Sequence, residues 1–157
     1  MKKINFLVRL AEDGKLLAVE PNAVLKEAYL QRSNESLSSA KVLLDAGNLK
    51  DAVALAYYSM YHCLLAALFR IGIKCENHAG SIILLNAVFD VDNSQISKAK
   101  SEGVDKQYYV DFSVTLEEAK ESIRIAEEFI SNLNNLIETL SEEKVKELHK
   151  KAVSLFS

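Results

Sequence analysis

An arginine and a histidine near the middle of the chain have the chemistry that phosphate groups require. Arg70 and His78 lie in the stretch FRIGIKCENHAGS, residues 69–81, with seven residues between them. RNA cleavage without a metal needs a base that takes the 2′-hydroxyl proton and a cation that stabilises the charged phosphorane. A neutral histidine and an arginine supply these two roles. The pair is therefore a candidate catalytic site, or a phosphate-binding site in the absence of cleavage.

The helix ends expected around this pair favour phosphate binding. Asn77 is a typical helix-capping residue, which puts His78 in a first helical turn, where partial positive charge favours neutral imidazole and attracts phosphate. Arg70 falls in the last turn of the preceding helix and is able to make a forked contact to phosphate. Alternatively, Arg70 caps carbonyl groups of its own helix and His78 is an ordinary surface residue. We predict that Arg70 and His78 approach each other across the Gly72 turn, because only a short loop joins the two helices. A distance of about 3–7 Å would allow them to bracket one phosphate.

Aromatic and histidine side chains upstream form a second group of candidates. Tyr58 and His62 lie one helical turn apart in an apolar segment that also contains Tyr57 and Tyr61. These rings are suited to stacking on bases or to lining a dimer seam. Buried packing with hydrogen-bonded hydroxyls is the alternative that we favour for the tyrosines, and packing in a core or interface is the one we favour for His62.

Cysteine and histidine spacing gives little support for a metal site. Cys75 and His78 are three positions apart, and His62 adjoins Cys63. Zinc sites usually contain a second closely spaced pair on a loop, whereas Cys63 is expected to face a helix interior. We therefore predict neither metal ligands nor a cofactor.

Composition indicates one helical domain. The chain has 157 residues, 49% of them hydrophobic and 26% charged, with only five glycines and one proline. Its net charge of −3 gives no global attraction to nucleic acid, so that any RNA contact must come from a local basic pocket. Two cysteines do not make a disulfide framework and no signal peptide is apparent, so we expect a cytoplasmic location.

Hydrophobic spacing predicts an all-α, up-and-down bundle of four to five main helices with a short N-terminal extension. The first three main helices are expected at residues 22–46, at residues 49–71 and from residue 78 onward. The first twenty residues favour a short helix followed by an irregular lead-in, and residues 91–110 an irregular connection with one short helix. We find no alternating pattern of the kind that predicts strands.

A heptad pattern marks the last long helix. Thr115 and Glu118 have the spacing of a capping box, and Ser141 has the position of a second helix start, with a final helix over residues 141–156. The seam predicted to pack lengthwise against neighbouring helices consists of Leu116, Ala119, Ile123, Ala126, Ile130, Leu133, Ile137 and Leu140.

The most apolar segment, residues 52–69, contains no charged residue and has nearly the length of a membrane span. Tyrosine, serine and histidine side chains near its middle would be penalised in a bilayer, so we predict the centre of a soluble bundle and no membrane association. The segment is apolar on more faces than one antiparallel hairpin covers. We therefore predict a homodimer with both copies of this helix near the twofold axis.

The stretch AYYSMYH, residues 56–62, is followed by an apolar run and by Gly72 and His78 in a G-x5-H arrangement. Together these motifs resemble the core hairpin of HEPN domains, small helical bundles of bacteria and archaea. The segments KQYYVDF, residues 106–112, and EEAKESIRIAEEFI, residues 117–130, are similar to the family's tyrosine-containing segment and last long helix. The resemblance covers about residues 22–140 and implies one HEPN-like domain over residues 1–157, with residues 141–156 as an added helix.

This resemblance implies a homodimer that is often encoded beside a minimal nucleotidyltransferase. Some members are metal-independent ribonuclease toxins with an Arg-x4–6-His motif, and others bind only nucleotides or partners. Seven residues separate Arg70 from His78 here, which moves the arginine one helical position earlier and rotates it by roughly 100°. Proximity of Lys106 and Tyr108 to His78 is expected only through the resemblance.

Two functions remain open. The first is a nucleotide- or RNA-binding HEPN protein, with the activity of a metal-independent ribonuclease toxin of a toxin–antitoxin pair as its catalytic form. The second is a non-catalytic helical adaptor that binds a minimal nucleotidyltransferase and presents its substrate. Arg70 and His78 are the catalytic candidates, and the nucleotide- or phosphate-binding candidates are Arg70, Asn77, His78, Tyr58, His62, Lys106 and Tyr108.

Overall fold

A computed structural model describes residues 2–157 as a helical bundle with a very small sheet. Its helices and strands are α1 Lys2–Glu12, β1 Leu16–Ala18, α2 Ala23–Asp45, α3 Leu49–Arg70, β2 Ile73–Cys75, α4 His78–Phe89, α5 Ser94–Lys100, α6 Leu116–Thr139 and α7 Glu142–Phe156. The predicted all-α class and the predicted positions of the main helices are confirmed.

Helix starts follow the capping residues of the sequence. The side chain of Asn22 accepts a hydrogen bond from the backbone N–H of Leu25 at 2.9 Å at the start of α2. Thr115 and Glu118 form both hydrogen bonds of the predicted capping box, each of 3.1 Å, and Ser141 caps α7. Short-range hydrogen bonds of this kind satisfy backbone groups that a helix end leaves free, which is why sequence locates them well.

Helix α3 is the central helix of the fold. It packs against α2, α6 and the segment that contains α5, and the buried Ser33 of α2 donates a hydrogen bond to the carbonyl of Ser59 at 2.6 Å. By length and composition α3 is able to cross a membrane, but 72% of its most apolar window is buried inside the fold. Helix α3 is covered by more than one antiparallel neighbour, and most of this cover comes from its own chain. The homodimer itself stays a prediction.

The chain also contains two very short strands that no sequence pattern indicated. Strands β1 and β2 pair antiparallel, with Leu16 opposite Cys75 and Ala18 opposite Ile73. Three-residue strands are too short to show an alternating pattern, so their partnership comes from tertiary packing. The pair ties the N-terminal segment to the connection between α3 and α4.

Gly72 allows this connection to be compact. Its φ of 80° is unfavourable for other residues, and a Cβ there would overlap the carbonyl oxygen of Val19 and lie 2.9 Å from Nδ1 of His149. Nδ1 of His149 donates a hydrogen bond to the carbonyl of Ile71 at 2.8 Å. Helix α7 is thereby fastened to the end of α3.

The connection between α4 and α6 packs closely on α3. After α5 the chain forms a π-helical turn at Ser101–Asp105 and a 3₁₀ turn at Lys106–Tyr108. A Cβ on Gly103 would lie 3.0 Å from Cβ of Tyr57 and 3.1 Å from the carbonyl of Val53. The absence of a side chain at residue 103 thus brings this turn against the middle of α3.

Helix α6 presents most of its predicted seam to the core. Ala119, Ile123, Ala126, Ile130, Leu133 and Ile137 are buried. At the two ends of the seam, Leu116 is exposed and Leu140 is half-buried. Phe129 is buried although it lies outside the predicted seam.

Candidate functional site

Arg70 contacts the start of α7. Its Nη2 donates a hydrogen bond to Oε1 of Glu142 at 3.0 Å and one to the carbonyl oxygen of Leu140 at 3.4 Å. Only 17% of its side chain is exposed, whereas 83% of the Glu142 side chain is exposed. The arginine therefore links the end of α3 to the α6–α7 corner.

His78 contacts a different part of α3. Its Nδ1 lies 2.6 Å from the hydroxyl oxygen of Tyr57, and its ring stacks on Tyr61 with 3.9 Å between the centroids. Tyr58 presents an edge-to-face contact at 6.2 Å. Asn77 caps α4 as predicted, accepting a hydrogen bond from the backbone N–H of Gly80 at 2.8 Å.

The expected approach of Arg70 to His78 is not found. Arg70 follows Tyr61, the stacking partner of His78, by nine positions, which corresponds to roughly 13–14 Å along α3 and roughly 180° around it. Arg70 therefore projects from the side of α3 opposite to Tyr61, on which the ring of His78 stacks. The physical reason is the early position of the arginine, because one helical position changes a side chain's direction by roughly 100°. The catalytic role of either residue stays a prediction.

The hydrogen bond between Tyr57 and His78 indicates which ring nitrogen of the histidine carries the proton. Burial, followed by the neighbouring tyrosines, raises the pKa of Tyr57 well above its usual value, so that its hydroxyl keeps its proton. Within residues 2–157, Nδ1 of His78 is the hydrogen-bond partner of this hydroxyl. Burial and the charge of Lys100 lower the pKa of His78, with Asp105 opposing them. A neutral His78 that accepts at Nδ1 carries its proton on Nε2 and acts there as a donor.

His62 lies next to this arrangement. Its ring is 6.2 Å from Tyr58 and 6.1 Å from Tyr29, and its Nδ1 is 3.4 Å from the hydroxyl of Ser36. Burial, Arg32 and His78 lower the pKa of His62 to about 4. Its imidazole is therefore neutral at pH 7.

Five of these side chains form what we name the tyrosine–histidine cluster, consisting of Tyr57, Tyr58, Tyr61, His62 and His78. Two cations lie close enough for their charges to act on the histidine pKa values. Arg32 on α2 is exposed, and Lys100 at the end of α5 pairs with Asp105 at 3.0 Å. The cluster thus combines aromatic surface, a helix start and flanking positive charge.

Sequence reasoning named all five residues of this cluster but missed the two cations that flank it. Tyr57 and Tyr61 are four positions apart, as are Tyr58 and His62, so helical periodicity was a usable signal that these rings form adjacent rows. Arg32 and Lys100 lie far from His78 in sequence, and no local pattern points to them.

Lys106 and Tyr108 are not brought to His78. The rings that contact His78 within residues 2–157 are those of Tyr57, Tyr58 and Tyr61. Lys106 is exposed, and Tyr108 is 85% exposed on the 3₁₀ turn. In the connection between α4 and α6, the charged residues that act on His78 are instead Lys100 and Asp105.

Residues 2–157 contain no group of three or more histidine, cysteine, aspartate or glutamate side chains arranged to hold a metal ion. Cys63 and Cys75 are buried free thiols, and burial raises the pKa of both. The thiol of Cys75 donates to the carbonyl of Asn77 at 3.4 Å. These two thiols have the environment of core side chains.

Comparison with known proteins gives relatives of archaeal and bacterial origin. A UPF0332 protein of Pyrococcus horikoshii is 40% identical over 63 residues, which are 40% of this chain and 44% of that protein. "Putative toxin MJ0605" of Methanocaldococcus jannaschii is 29% identical over 73% of this chain and 90% of its own length. A UPF0332 protein of Thermotoga maritima is 28% identical over 73% of this chain and 92% of its own length.

The family model of the HEPN domain matches residues 26–136. This range includes all of α3, α4 and α5 and most of α2 and α6, and it contains every residue of the tyrosine–histidine cluster. The resemblance noted in the sequence is therefore confirmed, and this chain belongs to the HEPN domain family.

Proposed function

We propose that this protein binds single-stranded RNA or nucleotides at the tyrosine–histidine cluster and does not cleave RNA with the pair Arg70 and His78. The observation that carries the proposal is the stacking of His78 on Tyr61 at 3.9 Å, beside the half-buried Tyr58 and at the start of α4. Aromatic rings beside positive charge suit the flat faces of bases and the phosphates that connect them.

Each part of the cluster has a distinct role in this proposal. Tyr58 and His62 are half-buried and offer ring surface on which a base stacks. The exposed Arg32 attracts phosphate, Lys100 does so in competition with its partner Asp105, and the Nε2–H of His78 donates to a phosphate or base oxygen. This local positive charge is needed because the whole chain carries a net charge of −3.

Cleavage by Arg70 and His78 is disfavoured by two features. A base must accept a proton, whereas His78 donates at Nε2 as long as Tyr57 holds Nδ1. Arg70 is paired with Glu142 on another side of α3 and therefore does not stabilise charge near His78. The M. jannaschii relative is named a putative toxin. If this protein is also toxic, we infer that it acts by binding RNA or nucleotides and not by cleaving RNA.

The second candidate function is the non-catalytic adaptor of a minimal nucleotidyltransferase. The Arg70–Glu142 pair favours it, because an arginine engaged in joining two helices has a structural role. This adaptor would be a cytoplasmic homodimer, as the sequence predicts, and would present its substrate from the tyrosine–histidine cluster.

Fluorescence anisotropy with a short labelled RNA tests the proposal. We expect affinity to fall as salt rises and to fall roughly tenfold or more in Tyr58→Ala, since stacking on one aromatic ring contributes about 1–3 kcal/mol. His78→Ala should also weaken binding, and Arg70→Ala should not. The same RNA, incubated in EDTA and examined by electrophoresis, should remain intact.

Two results would contradict the proposal. Equal affinity of the wild type, Tyr58→Ala and His78→Ala would remove the tyrosine–histidine cluster as the binding site. EDTA-resistant cleavage that both Arg70→Ala and His78→Ala abolish would show that the two side chains act together after all.

A further inference from the structure

A cleft of about 550 Å³ opens between α3, α5 and α6. Its apolar wall consists of Val53, Ala56, Tyr57, Ala99 and Ile125. Tyr57 is the residue that this cleft shares with the tyrosine–histidine cluster, and the cleft's lining includes none of the other four. The volume lies in the range of pockets that hold a small molecule or a few side chains.

The rim of this cleft is acidic. Glu102, Glu117, Glu118 and Glu121 line it, together with the single basic residue Lys98. Glu118 accepts the hydrogen bond of its own capping box, and Glu121 binds Arg124 at 2.6 Å. Glu102 forms no ion pair within residues 2–157, and Glu117 has only a 3.9 Å contact with Lys120. Glu102 and Glu117 thus remain available to a positively charged ligand.

An exposed apolar strip lies near the cleft, because it follows Gln107, whose side chain donates a hydrogen bond to the carbonyl of Lys50, about one helical turn before Val53 of the cleft wall. Tyr108, Tyr109 and Val110 are 85%, 64% and 100% exposed. They belong to the connection that leaves the cleft at Glu102 and returns to it at Glu117. Consecutive exposed apolar side chains beside an apolar cleft are typical of surfaces that bind other proteins.

We propose that this cleft and strip dock a basic amphipathic helix of a partner protein. Apolar side chains of the partner would contact the cleft wall and Tyr109, and its lysines or arginines would pair with Glu102 and Glu117. The acidic rim repels the phosphates of nucleic acid, which excludes RNA as the occupant. Helix α7, rich in lysine, is not available from a second copy, because its apolar residues Val145 and Leu148 are already buried in its own chain.

Docking at this cleft would also change the environment of His78. Tyr57 forms part of the cleft wall and holds Nδ1 of His78 by its hydroxyl. Because Tyr57 is fully buried, a docked helix acts on it through the residues that cover it at the cleft, and a shift of Tyr57 changes the environment of His78 through this hydrogen bond. The inference does not rest on RNA binding, since it uses the other side of the same tyrosine.

Nuclear magnetic resonance of the full ¹⁵N-labelled chain tests this inference. The probe is a synthetic leucine–lysine peptide whose leucines repeat three and four positions apart, and the comparison peptides are a shuffled version and a leucine–glutamate version. We expect the first peptide alone to shift the amide signals of Val53, Tyr57, Ala99 and Ile125 and the ring signals of His78.

Two tryptophan variants of α6 provide a matched comparison. Ser122→Trp fills the cleft, and Ser131→Trp places the same ring on an exposed part of the same helix away from it. Ser122→Trp should lower the peptide's affinity roughly tenfold or more, as the loss of one anchoring contact does, while Ser131→Trp and His78→Ala should not lower it. The double variant Glu102→Gln with Glu117→Gln should weaken binding through one half-buried and one exposed carboxylate, neither of them in the core, which keeps the test valid if Ser122→Trp does not fold.

Several outcomes would overturn the inference. The first is binding of the leucine–glutamate peptide as tight as that of the leucine–lysine peptide. The second is a set of shifted amide signals that lie outside the cleft. The third is an unchanged affinity for the leucine–lysine peptide in the double glutamine variant. RNA binding measured on the same variants separates the two proposals, because Ser122→Trp should retain it and His78→Ala should lose it.

Discussion

The hydroxyl oxygen of Tyr57 lies 2.6 Å from Nδ1 of His78, joining the middle of α3 to the first residue of α4. Because this hydroxyl keeps its proton and Nδ1 is its partner within residues 2–157, we assign Tyr57 as the donor. Burial raises the pKa of Tyr57 and lowers that of His78, so both groups are neutral at pH 7. This bond orients the half-exposed imidazole and decides which of its nitrogens carries the proton.

Tyr57→Phe should therefore change the tautomer of His78. The variant keeps the ring but leaves Nδ1 without its donor, which should lower the free energy of unfolding by about 1–3 kcal/mol, toward the lower end because His78 is only half-buried. The ¹⁵N chemical shifts of the imidazole, recorded at neutral pH, report the tautomer directly. The exposed Tyr108→Phe is the control, and an unchanged proton on Nε2 in Tyr57→Phe would mean that this bond does not select the tautomer.

Arg32 and Arg70 should have separable effects. Arg32→Ala should weaken RNA binding and reduce the slope of log affinity against log salt by about one, as the loss of a phosphate contact does. Arg70→Ala should leave RNA binding unchanged and lower stability by about 1 kcal/mol or less, because Glu142 is mostly exposed. Anisotropy at several salt concentrations and urea unfolding measure the two effects, and the reverse assignment would place the phosphate site at Arg70.

Ile130 should contribute strongly to stability. It is 5% exposed in the middle of the α6 seam, so Ile130→Ala should cost about 2–5 kcal/mol through lost burial and a residual cavity. Lys120→Ala on the exposed side of the same helix should cost little. Equal midpoints of the two variants in urea would contradict the buried orientation of this seam.

Stability should fall on mild acidification. The pKa of His62 is about 4 in the folded chain, below its ordinary value of 6.5, so the unfolded chain takes up this proton first as pH falls. The lowered pKa of His78 acts in the same direction. Stability is therefore fully present above about pH 6.5 and is lost progressively toward pH 4. The urea midpoint of His62→Gln should change less than that of the wild type between pH 7 and pH 5, and parallel curves would exclude His62 as a source.

Gly72 and Gly47 provide a test of crowding at constant backbone geometry. Both have a φ of 80°, but a Cβ on Gly47 meets nothing within 4 Å, whereas one on Gly72 meets Val19 and His149. Gly47→Ala should cost about 1–2 kcal/mol, the strain of the left-handed conformation alone. Gly72→Ala should cost clearly more, as measured by urea unfolding, and equal costs would mean that the β1–β2 region yields without penalty.

Sequence by itself determined the main helices and where they begin. Asn22, Asn77, Thr115 and Ser141 each cap a helix within three or four residues, and the three- and four-residue spacing of α6 specifies its buried side. These interactions are local, so a single segment contains all the information they need. The AYYSMYH and G-x5-H motifs likewise led to the HEPN family, which the match over residues 26–136 shows.

Only the tertiary structure decided which side chains meet. The strands β1 and β2 are each three residues long and are separated by α2 and α3. Arg70 pairs with Glu142 rather than approaching His78, and Arg32 and Lys100 come to the tyrosine–histidine cluster from α2 and α5. Helical periodicity gives the direction of a side chain relative to its own helix. Which residues that side chain contacts depends on how the other helices pack around α3. This packing results from burial across the whole core, so no single segment of the sequence specifies it.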